Sequence, residues 1–329
     1  MIDVDIRGFS SGGSWYKGNL HSHTTNSDGI LSPAEAVCAF KNAGYSFLCL
    51  SDHDIYTDYR EEFNSEDFIL LPGFEASAIL YEDDSVSLRR KTHHMNAILG
   101  TEAMQRLAVR RRPFHKEELP VRRCFGQWDG SSVAADMARD LYERGFIVTY
   151  NHPVWSMVEL EEFSSCPYLT ALEIFNYNTV NECACGYDTR VWDSMLRKGS
   201  KIWGFASDDN HNQGLFDDAF GGWISVKALS LTHDNIINAI IAGNYYSSSG
   251  PEIFDWGVFG SEAYVSCSRV ERINFIVGNH IGGGRTIISK SDDGISNGCC
   301  KLEGGESYVR AECVDKYGRT AWSNPIFLK

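Results

Sequence analysis

The sequence predicts an α/β protein whose strands form a parallel barrel, followed by a small all-β domain. Two observations carry this prediction. A unit of helix, glycine, short apolar strand and polar cluster recurs through the first 249 residues, and from about residue 250 the segments become short and alternating. Strands separated by helices indicate parallel pairing through right-handed crossovers. We therefore divide the chain into residues 1–249 and residues 250–329.

The first copy of the unit opens with a helix predicted over residues 32–44, SPAEAVCAFKNAG. Ser32 is a suitable N-cap, Pro33 suits the first helical position, and Glu35 completes a capping box. Gly44 provides the stop. The apolar run YSFLCL then predicts a short buried strand, which leads directly into the polar cluster SDHD (51–54).

Later parts of the chain repeat this order, with helices predicted over residues 131–145 and 190–199. The apolar segments and the clusters that follow them are FIVTY with NHP (151–153), SKIWGFA with SDDNH (207–211), FILL with PGFE (72–75), and the further strand LTALEIF (169–175). Strands that are apolar throughout are typical of parallel strands covered by helices. Because the carboxyl ends of parallel barrel strands lie on one face, we expect the polar clusters to converge there.

The last part of the chain is predicted to be a small β-sandwich. Runs such as YVSCS, INFIVG and ESYVRAECVD are separated by Gly, Asn and Asp turns, without a helical stretch. Short alternating strands with regular turns are typical of sandwiches. The segment GNYYSSSGP (243–251) is rich in Ser and Gly and marks the expected boundary.

Composition excludes some classes of partner. The net charge is 30 − 44 = −14, which argues against a nucleic-acid polymer as partner, because that would need a basic face. A small anionic substrate stays open, since bound divalent cations can reverse the local charge. We expect no membrane partner and a cytoplasmic location, because the sequence has neither a long apolar run nor a secretory leader. The ten cysteines are then expected to be reduced.

Nine side chains that commonly bind metals fall at the predicted strand ends or, in the case of His94, at the start of the apolar run MNAIL. They are His21, His23, Asp28, His53, Glu75, His94, His152, Asp209 and His211. Imidazoles and carboxylates without clustered thiolates suit zinc, manganese or iron. Nine ligands exceed what one tetrahedral ion can use, so more than one divalent metal ion is expected. Sites of this kind typically serve hydrolysis.

The motifs HSH (21–23), SDHD, PGFE, HMNA, NHP and SDDNH, in this order, resemble those of the PHP (polymerase and histidinol phosphatase) family. The resemblance covers about residues 15 to 250. It implies a distorted (β/α)7 barrel, two or three metal ions in what would be a trinuclear site, and phosphoester hydrolysis. The trailing all-β segment, with AWSNP near its end, resembles a subgroup with a C-terminal sandwich.

The resemblance also implies how the ligands are shared. His21, His23, Glu75 and Asp209 would hold one ion, Glu75 would bridge to a second completed by His94 and His152, and Asp28, His53 and His211 would hold a third. Glu75, Asp209 and His211 are expected to act in catalysis, with a metal-bridging hydroxide attacking phosphorus in line.

Neighbouring residues are expected to orient these ligands. His93 is interpreted as a neighbour of His94, and Asp52 and Asp54 as residues that orient ligands around His53. Asp208 is either an orienting residue or an alternative ligand to Asp209.

Candidate substrate-binding residues are Arg190, Asn176, Trp155 and His115. Trp155 could stack on a base or sugar ring, and packing is an equally good interpretation. Residues 101–125 carry seven Lys or Arg in an acidic protein, which suggests a lid whose arginines meet an anionic substrate. A solvated charged loop is the alternative.

The sequence therefore predicts a metal-dependent hydrolase of a small-molecule phosphate ester. One alternative is a carboxylester, carbamate or amide hydrolase that uses the same metals. An exonuclease or a polymerase-associated module is disfavoured by the acidic charge and by the absence of other polymerase-like segments. The remaining alternative is a non-catalytic ligand-binding protein, which the intact ligand set disfavours. Basic side chains that face the metals would favour a phosphate substrate over a neutral one.

Overall fold

A computed structural model describes residues 4–86 and 88–328 as a mixed α/β fold around one large sheet. Within this part of the chain the α-helices are short. They are α1 (Pro33–Asn42), α2 (Arg60–Phe63), α3 (Glu102–Leu107), α4 (Gly130–Glu143), α5 (Tyr177–Cys183), α6 (Thr189–Arg197) and α7 (His233–Ile241). No helix among the described residues is long and apolar enough to cross a lipid bilayer.

The strands fall into two series along the chain. The first comprises β1 (Val4–Arg7), β2 (Ser14–Asn19), β3 (Phe47–Leu50), β4 (Ile55–Tyr56), β5 (Ile69–Tyr81), β6 (Arg89–Leu99), β7 (Glu117–Glu118), β8 (Arg122–Phe125), β9 (Phe146–Tyr150), β10 (Leu169–Asn176), β11 (Trp203–Ser207), β12 (Trp223–Ala228) and β13 (Tyr245–Ser248). The second comprises β14 (Ile253–Gly260), β15 (Glu262–Val270), β16 (Arg272–Val277), β17 (Arg285–Ile288), β18 (Ile295–Lys301), β19 (Tyr308–Val314), β20 (Thr320–Ser323) and β21 (Ile326–Phe327).

The large sheet follows the order β11-β10-β9-β6-β5-β3-β2-β12-β13-β20-β19-β16-β17. Parallel pairing, as predicted, joins β2, β3 and β5 and joins β9, β10 and β11. The expectation of parallel pairing throughout is wrong for β6, which lies antiparallel between β5 and β9. Only residues 82–88 connect β5 to β6, and a parallel connection needs a crossover of a dozen or more residues.

The ends of β2 and β11 meet although they stand far apart in the sheet order. Ser22 forms a parallel bridge with Asn210, and the Asp209 N–H donates to the His21 carbonyl over 3.0 Å. The His23 N–H likewise donates to the Asn210 carbonyl over 3.0 Å. These bonds bring the polar segments that follow β2 and β11 to one place.

The helices follow the local signals in the sequence. Ser32 and Glu35 form the predicted capping box, and α4 and α6 fall within the predicted helical segments. The apolar face of α1, including Val37 and Phe40, packs on Leu48 of β3. Gly44 follows α1 with φ +80°, a conformation that glycine adopts without strain. Helix α1 thereby covers the strand that precedes the SDHD cluster.

The C-terminal β unit consists of β1 and the strands from β14 to β21. Four of its strands form a separate sheet in the order β1-β14-β15-β18, so the first described strand of the chain pairs with a late one. The others extend the large sheet through the pairing of β13 with β20. Between them lies an apolar core that includes Trp256, Val265 and Phe275. This is the two-layer packing expected of a sandwich.

A buried ionic group, here called the Arg310 cluster, joins this unit to α6. It consists of Arg310, Tyr308 and Glu312 on β19 and Asp193 on α6. Arg310 Nε and Nη2 donate to the two oxygens of Asp193 over 2.9 and 2.7 Å, and Nη1 donates to Glu312 over 2.7 Å. Such a two-pronged arginine–carboxylate pair fixes orientation as well as charge.

Candidate metal centre

The nine predicted ligand side chains lie together in space, and we call them the metal-ligand cluster. They come from the segments after β2, β3, β9 and β11 and from the interiors of β5 and β6. Their ligand atoms form four overlapping groups in which all atoms lie within 4.8 Å of one another. The groups are His21, His23 and Glu75; His21, His152 and Asp209; His53, Glu75 and His94; and His23, Asp28, His53 and His211.

Glu75 occupies the centre of the cluster. Its Oε1 lies 3.2 Å from His21 Nε2, 3.2 Å from His94 Nδ1 and 3.3 Å from His152 Nε2. Its Oε2 lies 2.9 Å from His53 Nδ1. Ligand atoms about 3 Å apart are those that a shared ion at about 2.0–2.2 Å would bring together. One carboxylate thus faces imidazoles that are assigned to all three predicted ion sites.

The other two carboxylates, Asp28 and Asp209, lie near opposite ring nitrogens of His23. Asp209 Oδ1 lies 2.9 Å from His23 Nε2 and 3.0 Å from His21 Nε2. Asp28 Oδ2 lies 3.6 Å from His53 Nε2, and its Oδ1 lies 3.5 Å from His211 Nε2. Asp28, His53 and His211 therefore form one group together with His23, whose Nδ1 lies 3.8 Å from Asp28 Oδ1.

Several buried atoms of the cluster have no hydrogen-bond partner, which indicates that the site fits cations. These atoms are His21 Nε2, His53 Nδ1, Glu75 Oε2 and His94 Nδ1. They lie close to oppositely charged groups, but not in hydrogen-bonding geometry. Buried polar atoms are nearly always satisfied, and leaving them without a partner is costly. Divalent ions at this place would satisfy all four atoms.

Three histidines of the cluster have a partner at Nδ1. His21 Nδ1 lies 2.9 Å from Glu173, His152 Nδ1 lies 3.1 Å from Ser156 Oγ, and His211 Nδ1 lies 2.9 Å from the Asp209 carbonyl. A proton on Nδ1 that is donated to the carboxylate or the carbonyl leaves Nε2 free as a ligand atom in His21 and His211. Second partners of this kind are typical of metal-binding histidines.

The charges of the cluster also call for cations. Burial opposes the charged form of His21, but Asp209, Glu75 and Glu173 outweigh it and raise the pKa of His21 well above its ordinary value. Burial likewise opposes the charged form of Glu75, yet His94 and His21 hold the pKa of this carboxyl well below its usual range. A proton on His21 thus supplies positive charge that a metal ion would supply on binding, with release of that proton.

Glu173 is a functional residue that the sequence analysis missed. It is fully buried in β10 and contacts His21 through Oε1. Its Oε2 accepts the His152 N–H and the Asn176 side-chain amide, both over 3.0 Å. Asn176 also donates to Asp209 Oδ2 over 3.0 Å, so this predicted substrate-binding residue is buried and holds a ligand in place. A lone carboxylate inside the apolar run LTALEIF was the available signal.

Asp52 and Asp208 hold loops around the cluster. Asp52 accepts the Thr24 N–H over 2.7 Å and the Ser27 hydroxyl over 3.0 Å, which fixes the turn before Asp28. Asp208 accepts three backbone N–H groups from residues 220–222 over 2.8–2.9 Å. Burial raises the pKa of Asp208 to about 7 despite these bonds. Of the two roles open to Asp208, the structure places it in the orienting one.

His93 and Asp54 also lie outside the metal-ligand cluster. His93 points to the opposite side of β6, where its Nδ1 lies 2.5 Å from the Tyr150 hydroxyl and its ring stacks on Trp128. Asp54 accepts the Ser77 N–H over 2.9 Å, and this bond ties the turn after His53 to β5. Asp54 thus holds the turn that carries His53, whereas His93 packs away from the ligands.

Three of the turns that carry ligands contain a residue with a strained backbone. His152 and Asp209 have φ +26° and +54°, and Asp54 beside His53 has φ +52°. Residues other than glycine rarely adopt these values, which persist only where surrounding bonds enforce them. The strained turns immediately follow β9, β11 and β3, where they direct ligand side chains into the cluster.

A cleft of about 270 Å³ opens over the metal-ligand cluster. Besides cluster residues its walls include Arg89, Trp155, Asn178, Glu182, Leu215 and Phe216. A neighbouring hollow of about 290 Å³ shares His53, His94 and Arg89 with the cleft and adds Arg123. Arg89 is close to the cluster although no local pattern in the sequence marked it.

The remaining substrate predictions fall in different places. Trp155 lines the cleft, whereas Arg190 is exposed in the first turn of α6 and is not part of its wall. His115 is exposed, and its Nδ1 lies 3.1 Å from the Asp58 carbonyl, away from the cleft. The structure therefore brings neither Arg190 nor His115 to the metal-ligand cluster, because their backbones are held in elements that face elsewhere.

Residues 101–125 do not form the expected lid. Arg110 pairs with Asp140 and Glu143 on α4, and Arg111 pairs with Glu117 within the segment. The segment folds against α4 and, through β8, against β5. None of its residues lines the cleft, and of its arginines Arg123 reaches the neighbouring hollow.

Comparisons with known proteins return solved structures of low sequence identity. No protein-family model matches the chain, and no curated protein matches its sequence. A two-domain protein from Bacteroides vulgatus that contains a predicted PHP-like metal-dependent phosphoesterase is 13% identical, covering 93% of this chain and 92% of its own, with a TM-score of 0.47. A candidate metal-dependent phosphoesterase from Bifidobacterium adolescentis is 14% identical, covering 71% of this chain and 96% of its own, with a TM-score of 0.42.

Proposed function

We propose that this chain is a PHP-type metal-dependent phosphoesterase that hydrolyses a small-molecule phosphate ester. It would use two or three divalent ions, zinc, manganese or iron, on a distorted (β/α)7 barrel. The observation that carries the proposal is the metal-ligand cluster itself. It brings nine imidazole and carboxylate ligands together and leaves four buried atoms without a hydrogen-bond partner.

The proposed assignment of ligands is the one that the resemblance to the PHP family implies, whereas in the structure His152 groups with His21 and Asp209, and His94 groups with His53 and Glu75. His21, His23, Glu75 and Asp209 would hold one ion, Glu75 with His94 and His152 a second, and Asp28, His53 and His211 a third. Divalent ions bound there would lower the pKa of a water molecule and neutralise charge on the phosphoryl oxygens.

Residues of the chain outside the metal-ligand cluster would orient the metal ligands. Glu173 and Asn176 hold His21, His152 and Asp209 from behind, so that these ligands need little reorganisation when ions bind. Preorganised groups of this kind are a large part of catalysis by electrostatic stabilisation. Glu75, Asp209 and His211 would accordingly act at the reacting centre, with Glu75 in the bridging position.

Unpaired arginines favour a phosphate over a neutral ester or amide. Arg89 and Arg123 are both exposed and line the hollow beside His53 and His94. Neither forms an ion pair with any residue in 4–86 or 88–328, whereas Arg110 and Arg111 do. A guanidinium beside a cation site, with no carboxylate to neutralise it, suits the oxygens of a phosphate.

Metal analysis combined with a substrate screen tests the proposal. The purified chain should contain at least two tightly bound divalent ions and should hydrolyse phosphomonoesters or phosphodiesters until a chelator removes the ions. Fewer than two ions and no hydrolysis of any ester class would overturn it. Hydrolysis of carboxylesters alone would instead support the alternative of a neutral substrate.

A further inference from the structure

We propose that Trp155, Asn178 and Glu182 form a subsite that selects the leaving group of the ester, here called the leaving-group subsite. The ligand class is a ring-bearing alcohol whose edge carries N–H or O–H donors and no negative charge. This inference rests on the proposed phosphoesterase function, since it concerns the other half of the substrate. It is built from residues that line the cleft but belong to none of the four metal-ligand groups.

Trp155 stands directly beside two candidate ligands. Its ring centroid lies 5.0 Å from that of His152, nearly perpendicular, and 5.9 Å from that of His94, tilted by 38°. An ester whose phosphate sits at the metal-ligand cluster would therefore place its leaving group near this indole. Tryptophan offers a flat apolar face to ring systems, and stacking on such a face tolerates different rings.

A hydrogen bond fixes the position of the indole. Trp155 Nε1 donates to Glu182 Oε2 over 2.9 Å. Glu182 Oε1 accepts no hydrogen bond from the described part of the chain, and the side chain lines the cleft. The carboxylate can thus hold the indole with one oxygen and accept a substrate N–H or O–H with the other.

Asn178 adds a second polar group on the same wall. It precedes Glu182 by four residues on α5, so the two side chains lie on one helix face. Asn178 as a residue is 8% exposed, and its side chain makes no hydrogen bond within residues 4–86 and 88–328, while its backbone N–H donates to the Asp208 carbonyl. An amide that lines a cleft and has both its donor and its acceptor free is suited to a ligand.

The apolar residues elsewhere in the cleft wall and the negative charge of Glu182 define which rings fit. Leu215 and Phe216 bring apolar side chains to the cleft, and Leu215 is 81% exposed. A flat ring could therefore contact apolar surface besides the indole. The negative charge of Glu182 repels a second anionic group on the leaving group, which gives discrimination by repulsion as well as by attraction.

The test compares four phosphomonoesters with the metal-loaded protein and its variants. A nucleoside 5′-monophosphate and glucose 6-phosphate carry rings with donors, p-nitrophenyl phosphate carries a ring without donors, and glycerol 3-phosphate carries a chain. Trp155→Leu should lower kcat/KM about tenfold for the ring esters preferred by the wild type, mainly through KM, and less than twofold for glycerol 3-phosphate. Trp15→Leu is the matched control, because Trp15 is 37% exposed outside the cleft.

Glu182→Gln separates hydrogen bonding from stacking. It should weaken the donor-bearing esters and leave p-nitrophenyl phosphate within twofold, with unchanged metal content. It should also improve phosphoserine, whose leaving group carries a carboxylate. A loss confined to the nucleotide would identify a heterocyclic ring and a loss confined to the glucose ester a sugar, and either supports the subsite.

Equal losses for chain and ring esters, or no loss in Trp155→Leu, would overturn the subsite while leaving the phosphoesterase proposal intact. If the wild type hydrolyses no phosphate ester, the phosphoesterase proposal fails instead. Calorimetric titration of the metal-loaded wild type and Trp155→Leu with the free nucleoside and with glucose then decides the subsite. Equal or absent binding in the two proteins would reject it.

Discussion

The molecule has two buried ionic regions, the Arg310 cluster and the metal-ligand cluster, and they differ in how their charges are satisfied. Arg310 is 1% exposed, yet its guanidinium donates to Asp193 and Glu312 and lies 4.9 Å from the Trp192 ring. In the metal-ligand cluster, buried atoms of His21, His53, Glu75 and His94 have no hydrogen-bond partner.

This difference separates a structural role from a binding role. The Arg310 cluster contains its own permanent cation, because an arginine side chain stays protonated in proteins. The metal-ligand cluster has three carboxylates but only imidazoles as a source of positive charge, and an imidazole that coordinates a metal must be neutral. Its cations therefore have to come from solution. Buried charges that neutralise each other within the protein hold secondary-structure elements together. Buried charges that the protein does not neutralise mark a site for a ligand.

Substitution of Glu75 should have the largest effect on the metal-ligand cluster. Glu75→Gln keeps the shape of the side chain but removes the charge that faces imidazoles of all three proposed ion sites. We expect phosphoester hydrolysis to fall on the order of a thousandfold, together with loss of at least one bound ion. Steady-state kinetics and metal analysis measure both effects.

Glu61→Gln serves as the control for this change, because Glu61 is exposed on α2 and distant from the metal-ligand cluster. Circular dichroism of the metal-free proteins should show that Glu75→Gln still folds. Wild-type activity in Glu75→Gln would exclude the bridging role of this residue.

Removal of Arg310 tests the opposite region. Arg310→Met leaves the half-buried Asp193 and Glu312 without their buried cation, and we expect a loss of about 3 kcal/mol of folding stability, the lower end of the range for fully buried pairs. We expect the metal content of the folded fraction to stay unchanged. Denaturant unfolding followed by metal analysis of the native protein gives both quantities.

Arg269→Met is the matched control, because Arg269 forms a 4.0 Å pair with Asp293 in which both side chains are exposed. Exposed pairs contribute about 0–1 kcal/mol. If Arg310→Met and Arg269→Met destabilised the chain equally, the Arg310 cluster would have no structural role of its own.

The two regions also differ in how well the sequence predicts them. The ligands of the metal-ligand cluster could be proposed because most follow short apolar runs, where parallel strands are known to present functional residues. Asp193 and Arg310 are separated by 117 positions and lie in segments without a distinguishing pattern, so nothing local predicts that they pair.

The fold shows the same limit. The capping box of Ser32 and Glu35 is a local signal, and it predicted the start of α1 correctly. The antiparallel direction of β6 depends on the short connection over residues 82–88, and the approach of Arg89 to the cluster follows from that hairpin. Such features arise from chain connectivity in three dimensions and have no signature in composition or periodicity.

A smaller effect is expected from substitution of Glu173, which supports the metal ligands from outside the cluster. Glu173→Gln keeps an acceptor near His21 and His152 but removes the charge that supports a proton on His21 Nδ1. Changes to such supporting residues typically lower metal affinity 10- to 100-fold. Competition with a chelator of known affinity measures the change.

Glu312→Gln provides the comparison for Glu173→Gln, because Glu312 supports a cation in the Arg310 cluster. It should reduce folding stability and leave metal affinity unaltered. Equal metal affinity in Glu173→Gln and the wild type would show that Glu173 contributes only to the packing of β10.

The smallest effect concerns an arginine without a carboxylate partner. Arg89 is exposed at the cleft and forms no ion pair with described residues, whereas the charge of Arg310 is neutralised inside the protein. Arg89→Ala should therefore leave folding stability and metal content unchanged and raise KM for phosphate esters about tenfold, as expected for loss of a charge-assisted hydrogen bond. Because the Arg89 side chain is exposed, this effect should shrink as salt screens the charge, and KM should be measured at low and high ionic strength.

Arg106→Ala is the control, since Arg106 is 74% exposed beside Glu102 on α3. A rise in KM that is equally large for a neutral carboxylester would mean that Arg89 shapes the cleft without recognising charge, and the case for an anionic substrate would lose its main support.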